Sequence, residues 1–170
     1  MIDDYPFYTE VDLSHTVDTT PIIICDLDGT AALMDNRIKD RDEQVKKDGS
    51  NKNKWNAFNR GIGLEPVNYP VLSTLHAFKG SQPCEIVYLS GRSEEFRQRT
   101  DEWLGDNHFP LGELYMRPKG DYRRDDIFKK ELSGNIDLVR VLLVLDDRDQ
   151  VVKMWRDMGL TCFQVNYGDF

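Results

Sequence analysis

Asp26 and Asp28 lie two residues apart, directly after the apolar run Ile22-Ile23-Ile24-Cys25 and just before Gly29-Thr30. Along an extended chain, residues i and i+2 face the same side. Both carboxylates therefore start out together, where a buried strand runs into a loop. Gly29 lets the backbone bend and approach a ligand closely. Two close carboxylates repel unless a cation sits between them, so the pair points to a metal and to phosphoryl transfer. Two more clusters follow apolar runs in the same way: Ser90-Gly91-Arg92 and Asp146-Asp147-Arg148. Asp146-Asp147 has the simpler reading of a helix cap. An acidic pair at the end of an apolar strand is costly without a cation, however, which favours the metal.

The elements that must bring these clusters together are legible as an alternation. Apolar runs at Ile22–Cys25, Glu85–Leu89, Glu113–Met116, Val141–Leu145 and Thr161–Val165 read as strands. Helical spacing marks Tyr69–Phe78, Ser93–Leu104, Asp125–Leu132 and Gln150–Met158, with Ser93 as an N-cap and Gly159 as a C-terminal stop. Alternating β and α predicts an α/β fold: a Rossmann-like parallel sheet of about five strands with helices on both faces. Ligand sites in such sheets lie at the carboxyl ends of the strands, where all three clusters fall. Residues 36–63 interrupt the pattern. They are charged and polar, and read as a flexible or partly helical excursion over the site. Within it, Trp55 and Phe58 either stack a base or pack on the core. Residues 1–20 read as a leader before one domain over 21–170.

The 170 residues carry a net charge of -8, which opposes long-range attraction to nucleic acid or to anionic membranes. A nucleic-acid substrate would then be gripped locally, at one end. Arg117, Lys119, Arg123 and Arg124 form a basic cluster that could track such a backbone, although Glu113, Asp121, Asp125 and Asp126 dilute it. No transmembrane run or signal pattern is present, and Cys25, Cys84 and Cys162 read as reduced core thiols, so the expected location is cytoplasmic. The three histidines show no zinc-ligand spacing.

Together the clusters resemble the haloacid dehalogenase superfamily of aspartate-nucleophile phosphatases. Asp26-Leu27-Asp28-Gly29-Thr30, Leu89-Ser90-Gly91-Arg92, Lys129 and Leu145-Asp146-Asp147-Arg148 match its four motifs. The stretch from Asp146 to Arg156 and the ending Gly168-Asp169-Phe170 are similar to the 3′-phosphatase domain of bacteriophage polynucleotide kinase-phosphatase. Arg37 falls where that domain has a phosphate-facing arginine. No Gly-x-x-x-x-Gly-Lys-Ser/Thr loop is present, so the kinase half has no counterpart in this sequence.

The resemblance implies Asp26 as nucleophile, Asp28 as general acid and base, and Ser90 and Lys129 as further catalytic groups. It implies Thr30, Arg37, Gly91 and Arg92 as substrate contacts. Mg²⁺ would be held by Asp26, Asp28 (through its carbonyl) and Asp147, with Asp146 nearby. The implied function is removal of 3′-phosphates from polynucleotide ends, with a separate kinase or ligase as partner. Competing expectations are a phosphatase of free nucleotides or other small phosphoesters, and a catalytically silent binding module of the same fold.

Overall fold

A computed structural model describes residues 18–51 and 53–168. Most of the expected leader, and Asp169 and Phe170 of the expected C-terminal signature, lie outside the described residues. Five strands form one parallel sheet: β1 Ile22–Cys25, β2 Glu85–Ser93, β3 Glu113–Arg117, β4 Val141–Arg148 and β5 Cys162–Gly168, in the spatial order β3-β2-β1-β4-β5. The helices are α1 Asp35–Asp48, α2 Lys54–Arg60, α3 Tyr69–Ser81, α4 Arg97–Asp106, α5 Asp125–Leu132 and α6 Asp149–Asp157.

β1 is central, and its four residues are all buried because each face of the sheet is covered. Ile23 and Cys25 pack with Val71 and Leu75 of α3 and Trp103 and Leu104 of α4. Ile22 and Ile24 point the other way, into Val151, Val152 and Trp155 of α6. A continuous apolar run is what a strand between two helical layers requires. The three cysteines are buried and free, in keeping with the core-thiol expectation. Among the described residues no helix is long and apolar enough to cross a membrane.

β2 and β4 extend beyond their apolar runs. β2 continues through Ser90-Gly91-Arg92, with its register against β3 shifting between Ser90 and Ser93. β4 continues through Asp146-Asp147-Arg148, with a similar shift against β5. Period and hydrophobicity end at Leu89 and Leu145, but the backbone ladder does not.

The excursion after β1 is more ordered than expected. It forms two helices, α1 and α2, that pack on each other. α1 escapes detection because Ile38 and Val45 are its only apolar residues, and the side chain it buries is Arg37. Its C-terminus is closed by Gly49 in the left-handed conformation. Of the two aromatics in α2, Phe58 is buried and Trp55 is exposed, so packing is the outcome for Phe58.

Candidate active site

The carboxyl ends of β1, β2 and β4 converge on two groups of charges. The first is built around Asp26. Its Oδ1 accepts a hydrogen bond from Lys129 Nζ at 2.7 Å, and the same ammonium donates to Asp146 Oδ2 at 2.8 Å. Lys129 reaches the site from α5 and is 3% exposed. Asp146 is fixed further by Trp155 Nε1 and by the backbone N–H groups of Asp147 and Arg148. Asp147 accepts from Thr30 Oγ1 at 3.3 Å through Oδ1, while its buried Oδ2 has no hydrogen-bond partner among the described residues.

Asp26, Asp146 and Asp147 each bring a carboxylate oxygen within 4.8 Å of the others. Three buried acids against one buried lysine leave negative charge uncompensated. Burial, with Asp146 and Asp147 adding to it, holds the Asp26 carboxyl well above the usual range despite Lys129. Burial and Asp146 push Asp147 up to about 6. For Lys129, burial acts downward, but Asp146 and Asp26 outweigh it and keep the ammonium charged. An orphaned buried oxygen among hard carboxylate donors fits a divalent cation such as Mg²⁺. Gly29, at φ +94°, is part of the same enclosure: a Cβ there would lie 2.2 Å from Asp147 Oδ2.

The second group is built around Asp28, whose side chain is one-fifth exposed. Its Oδ1 accepts from Arg37 Nη1 at 2.8 Å and from both Nε and Nη2 of Arg92. Burial favours the neutral acid here too, but Arg92 and Arg37 outweigh it and hold Asp28 below the usual carboxylate range. The same two nitrogens, Arg37 Nη1 and Arg92 Nη2, also donate to Glu65 Oε1, each at 2.7 Å. Arg37 Nε donates to the Phe58 carbonyl, and its guanidinium lies over the Phe58 ring at 4.2 Å. Arg92 Nη1 donates to Thr100 Oγ1 in α4.

Arg37 and Arg92, expected against a substrate phosphate, are thus 2% and 3% exposed and turned onto carboxylates. Thr30, also expected at the substrate, is fully buried against Asp147. Ser90 is buried and accepts from the Arg92 N–H at 3.2 Å. Gly91 is partly exposed, and its carbonyl accepts from Arg117 Nε at 3.0 Å. The basic cluster is largely neutralised in place: Arg117 pairs with Asp121 and Asp125, Lys119 with Glu95, Arg123 with Asp121 and Glu131, and Arg124 with Asp126.

Two acids near the site were given no place in it by the sequence, although Asp125 was expected to dilute the basic cluster and does pair with Arg117. Glu65 lies between α2 and α3, in a stretch without a strand or helix pattern. Its weak signal was an acid between Gly63 and Pro66. Asp125, which pairs with Arg117 and Arg148, stands one helical turn before Lys129, a spacing that shares a face.

With this geometry in view, the comparisons with known proteins agree. The model of the polynucleotide kinase PNKP phosphatase domain family matches residues 20–170. A protein of Autographa californica nuclear polyhedrosis virus, assigned as a bifunctional polynucleotide kinase/RNA ligase, is 32% identical over 84% of this chain and 19% of its own length. Two structures of the Pnkp1/Rnl/Hen1 complex, one described as an RNA repair complex, each contain a similar chain with a TM-score of 0.71. Identity is 37% and 35%, covering 91% and 98% of this chain but 45% and 53% of those chains. The chain therefore spans about half of the structural relatives and a fifth of the viral protein. A haloacid dehalogenase-like hydrolase from Streptococcus pneumoniae, 14% identical over 87% of this chain and 85% of its own, shares the fold with a TM-score of 0.62. The chain belongs to the polynucleotide kinase PNKP phosphatase domain family and is a phosphatase of the haloacid dehalogenase type.

Proposed function

We propose that the protein is a Mg²⁺-dependent phosphomonoesterase that removes 3′-phosphates from polynucleotide ends, with Asp26 as the nucleophile. The observation that carries this reading is the buried trio Asp26, Asp146 and Asp147, with Lys129 bonded to two of them and one oxygen of Asp147 unpaired.

Asp26, Asp147 and the Asp28 carbonyl would hold the ion, with Asp146 beside it. When bound, Mg²⁺ supplies positive charge that offsets repulsion between the nucleophile and an anionic phosphate. In the first step Asp26 forms a bond to phosphorus. The bond from phosphorus to the leaving oxygen breaks, and its electron pair goes to that oxygen, which takes a proton from Asp28. In the second step Asp28 takes a proton from a water, which attacks the aspartyl-phosphate and releases Asp26. Arg92 and Arg37 keep resting Asp28 ionised, the form that accepts a proton in this second step. An incoming phosphate dianion adds negative charge beside Asp28 and favours the protonated form needed for the first. Lys129 offsets charge on the transferring group, and Ser90 and the Gly91 N–H lie on the strand end where they would hold its oxygens.

The α1–α2 pair, helices of 14 and 7 residues, would act as a small cap over the entrance for a polymer end. The relatives' kinase and ligase names suggest that a separate kinase or ligase works with this phosphatase. The second reading, a phosphatase of free nucleotides, is favoured by the net charge of -8 and by the internal pairing of the basic cluster. Phosphate release with Mg²⁺, with and without a chelator, from a 3′-phosphorylated oligonucleotide and from 3′- and 5′-mononucleotides separates the two. End repair predicts at least tenfold higher kcat/KM on the 3′-phosphorylated oligonucleotide. A preference for mononucleotides contradicts it.

A further inference from the structure

Glu65 is a buried acid that the proposed chemistry leaves without a task. Its side chain is fully buried. Its Oε1 and the Oδ1 of Asp28 are bridged by the same two nitrogens, Arg37 Nη1 and Arg92 Nη2. Two oxygens and two nitrogens close a ring of four charge-assisted contacts. Each arginine neutralises both acids, and neither acid can move without the other's partners moving.

The ring is anchored chiefly on the Glu65 side. Glu65 Oε2 accepts from the Gly63 N–H at 2.7 Å, and the Glu65 carbonyl accepts from Trp103 Nε1 at 2.9 Å. Asp28, by contrast, is held through Oδ1 alone; among the described residues its Oδ2 has no hydrogen-bond partner. A carboxylate held through one oxygen has its second oxygen aimed by that hold. Glu65 also comes from the segment that returns from α2, so the ring ties the α1–α2 pair to the loop after β1.

We propose that Glu65 is a positioning residue for Asp28: by fixing both arginines it sets where the free Asp28 oxygen meets the leaving group. The proposal rests on the reading of Asp28 as the acid that protonates that group. A sugar oxygen needs the proton as its bond to phosphorus breaks, because an alkoxide is a poor leaving group. A p-nitrophenyl oxygen departs as a stabilised phenolate and needs the proton far less. Misplacing Asp28 therefore harms the two esters unequally, whereas general loss of structure harms them alike.

The test compares kcat and KM of the wild type, Glu65→Gln and Asp28→Asn with Mg²⁺ on a 3′-phosphorylated oligonucleotide and on p-nitrophenyl phosphate. Glu65→Gln keeps the shape and one acceptor oxygen but removes the charge that holds the arginines. Its loss of kcat on the oligonucleotide should exceed its loss on the aryl ester at least tenfold, in the same sense as Asp28→Asn. The ratio is taken within one preparation, so a lowered folded fraction cancels. Equal losses in Glu65→Gln, with unequal losses in Asp28→Asn, overturn the role of Glu65 and leave the phosphatase reading standing. Equal losses in both variants overturn the acid role of Asp28 and this proposal with it. A wild type that hydrolyses neither ester overturns the proposed function itself.

Discussion

The two halves of the site solve opposite electrostatic problems with the same residue types. Around Asp26, three buried acids share a single lysine, one oxygen is left unpaired, and the carboxyls of Asp26 and Asp147 are pushed up. Around Asp28, two acids face two arginines, the charges cancel, and the Asp28 carboxyl is pulled down. One half is balanced as it stands; the other carries an excess of negative charge that the proposed cation would offset. The deficit of positive charge is what the proposed ion would fill, and the closed ring is what would hold the Asp28 side chain still. Losing a partner from the balanced ring leaves an uncompensated buried charge, worth about 3–5 kcal/mol; losing an acid from the trio relieves repulsion instead.

The largest test of the open half is Asp26→Asn. It keeps the shape of the side chain and removes the attacking oxygen anion, so turnover of a 3′-phosphorylated oligonucleotide should fall at least a thousandfold. Thermal melting checks that the variant is folded. Activity within tenfold of the wild type would remove Asp26 as the nucleophile.

Gly29→Ala strikes the same half through the backbone. At φ +94° a Cβ is strained, and it would meet Asp147 Oδ2 at 2.2 Å. The strain itself is about 1–3 kcal/mol. The variant should melt lower and lose roughly a hundredfold in activity at limiting Mg²⁺, with part of the loss recovered at high Mg²⁺. Wild-type Mg²⁺ dependence in this variant would show that Asp147 needs no enclosure by Gly29.

A smaller effect contrasts the two halves through pH. Asp147 rises from 3.8 to about 6 on folding. Its contribution to the stability of the metal-free protein is therefore present below 3.8 and lost as pH rises through about 6. Mg²⁺ displaces the proton, so its affinity should fall by up to tenfold per pH unit below 6. Asp28 has the opposite sign: its folded value is lowered, so its contribution is present above 3.8 and lost as pH falls through that lower value. Thermal melts with and without Mg²⁺ should show a larger metal-induced shift at pH 7.5 than at pH 5. An equal shift at both would mean that no raised carboxyl competes with the ion.

The same contrast governs what the amino-acid order disclosed. The pairing of the Asp26 and Asp28 carboxylates was not legible: Asp26 joins Asp146 and Asp147, while Asp28 turns onto Arg37 and Arg92. Their shared strand end was legible, from a two-residue spacing after Ile22–Cys25. Asp146-Asp147 was legible for the same reason after β4. The parallel sheet followed from the apolar runs, because strands buried on both faces can carry little else. Three residues behaved otherwise. Arg37 and Arg92 were expected at a substrate phosphate from the family resemblance, and the contacts they make within the protein were not foreseen. Both bond Glu65 as well as Asp28, and Glu65 lies 37 positions of chain from Asp28, a relation that no local spacing encodes. α1 was equally hidden: a helix that buries an arginine carries no apolar stripe, so its periodicity is silent.

The claim on which the rest depends is that one divalent cation lies among Asp26, Asp146 and Asp147. Isothermal titration calorimetry of Mg²⁺ into the wild type and into Asp147→Asn at pH 7.5 addresses it most directly. One ion should bind the wild type, with affinity weakened at least tenfold in the variant, while the metal-free variant melts no lower than the wild type because a repelling buried charge is gone. Equal Mg²⁺ affinity in the two proteins, or no binding to either, would contradict the account.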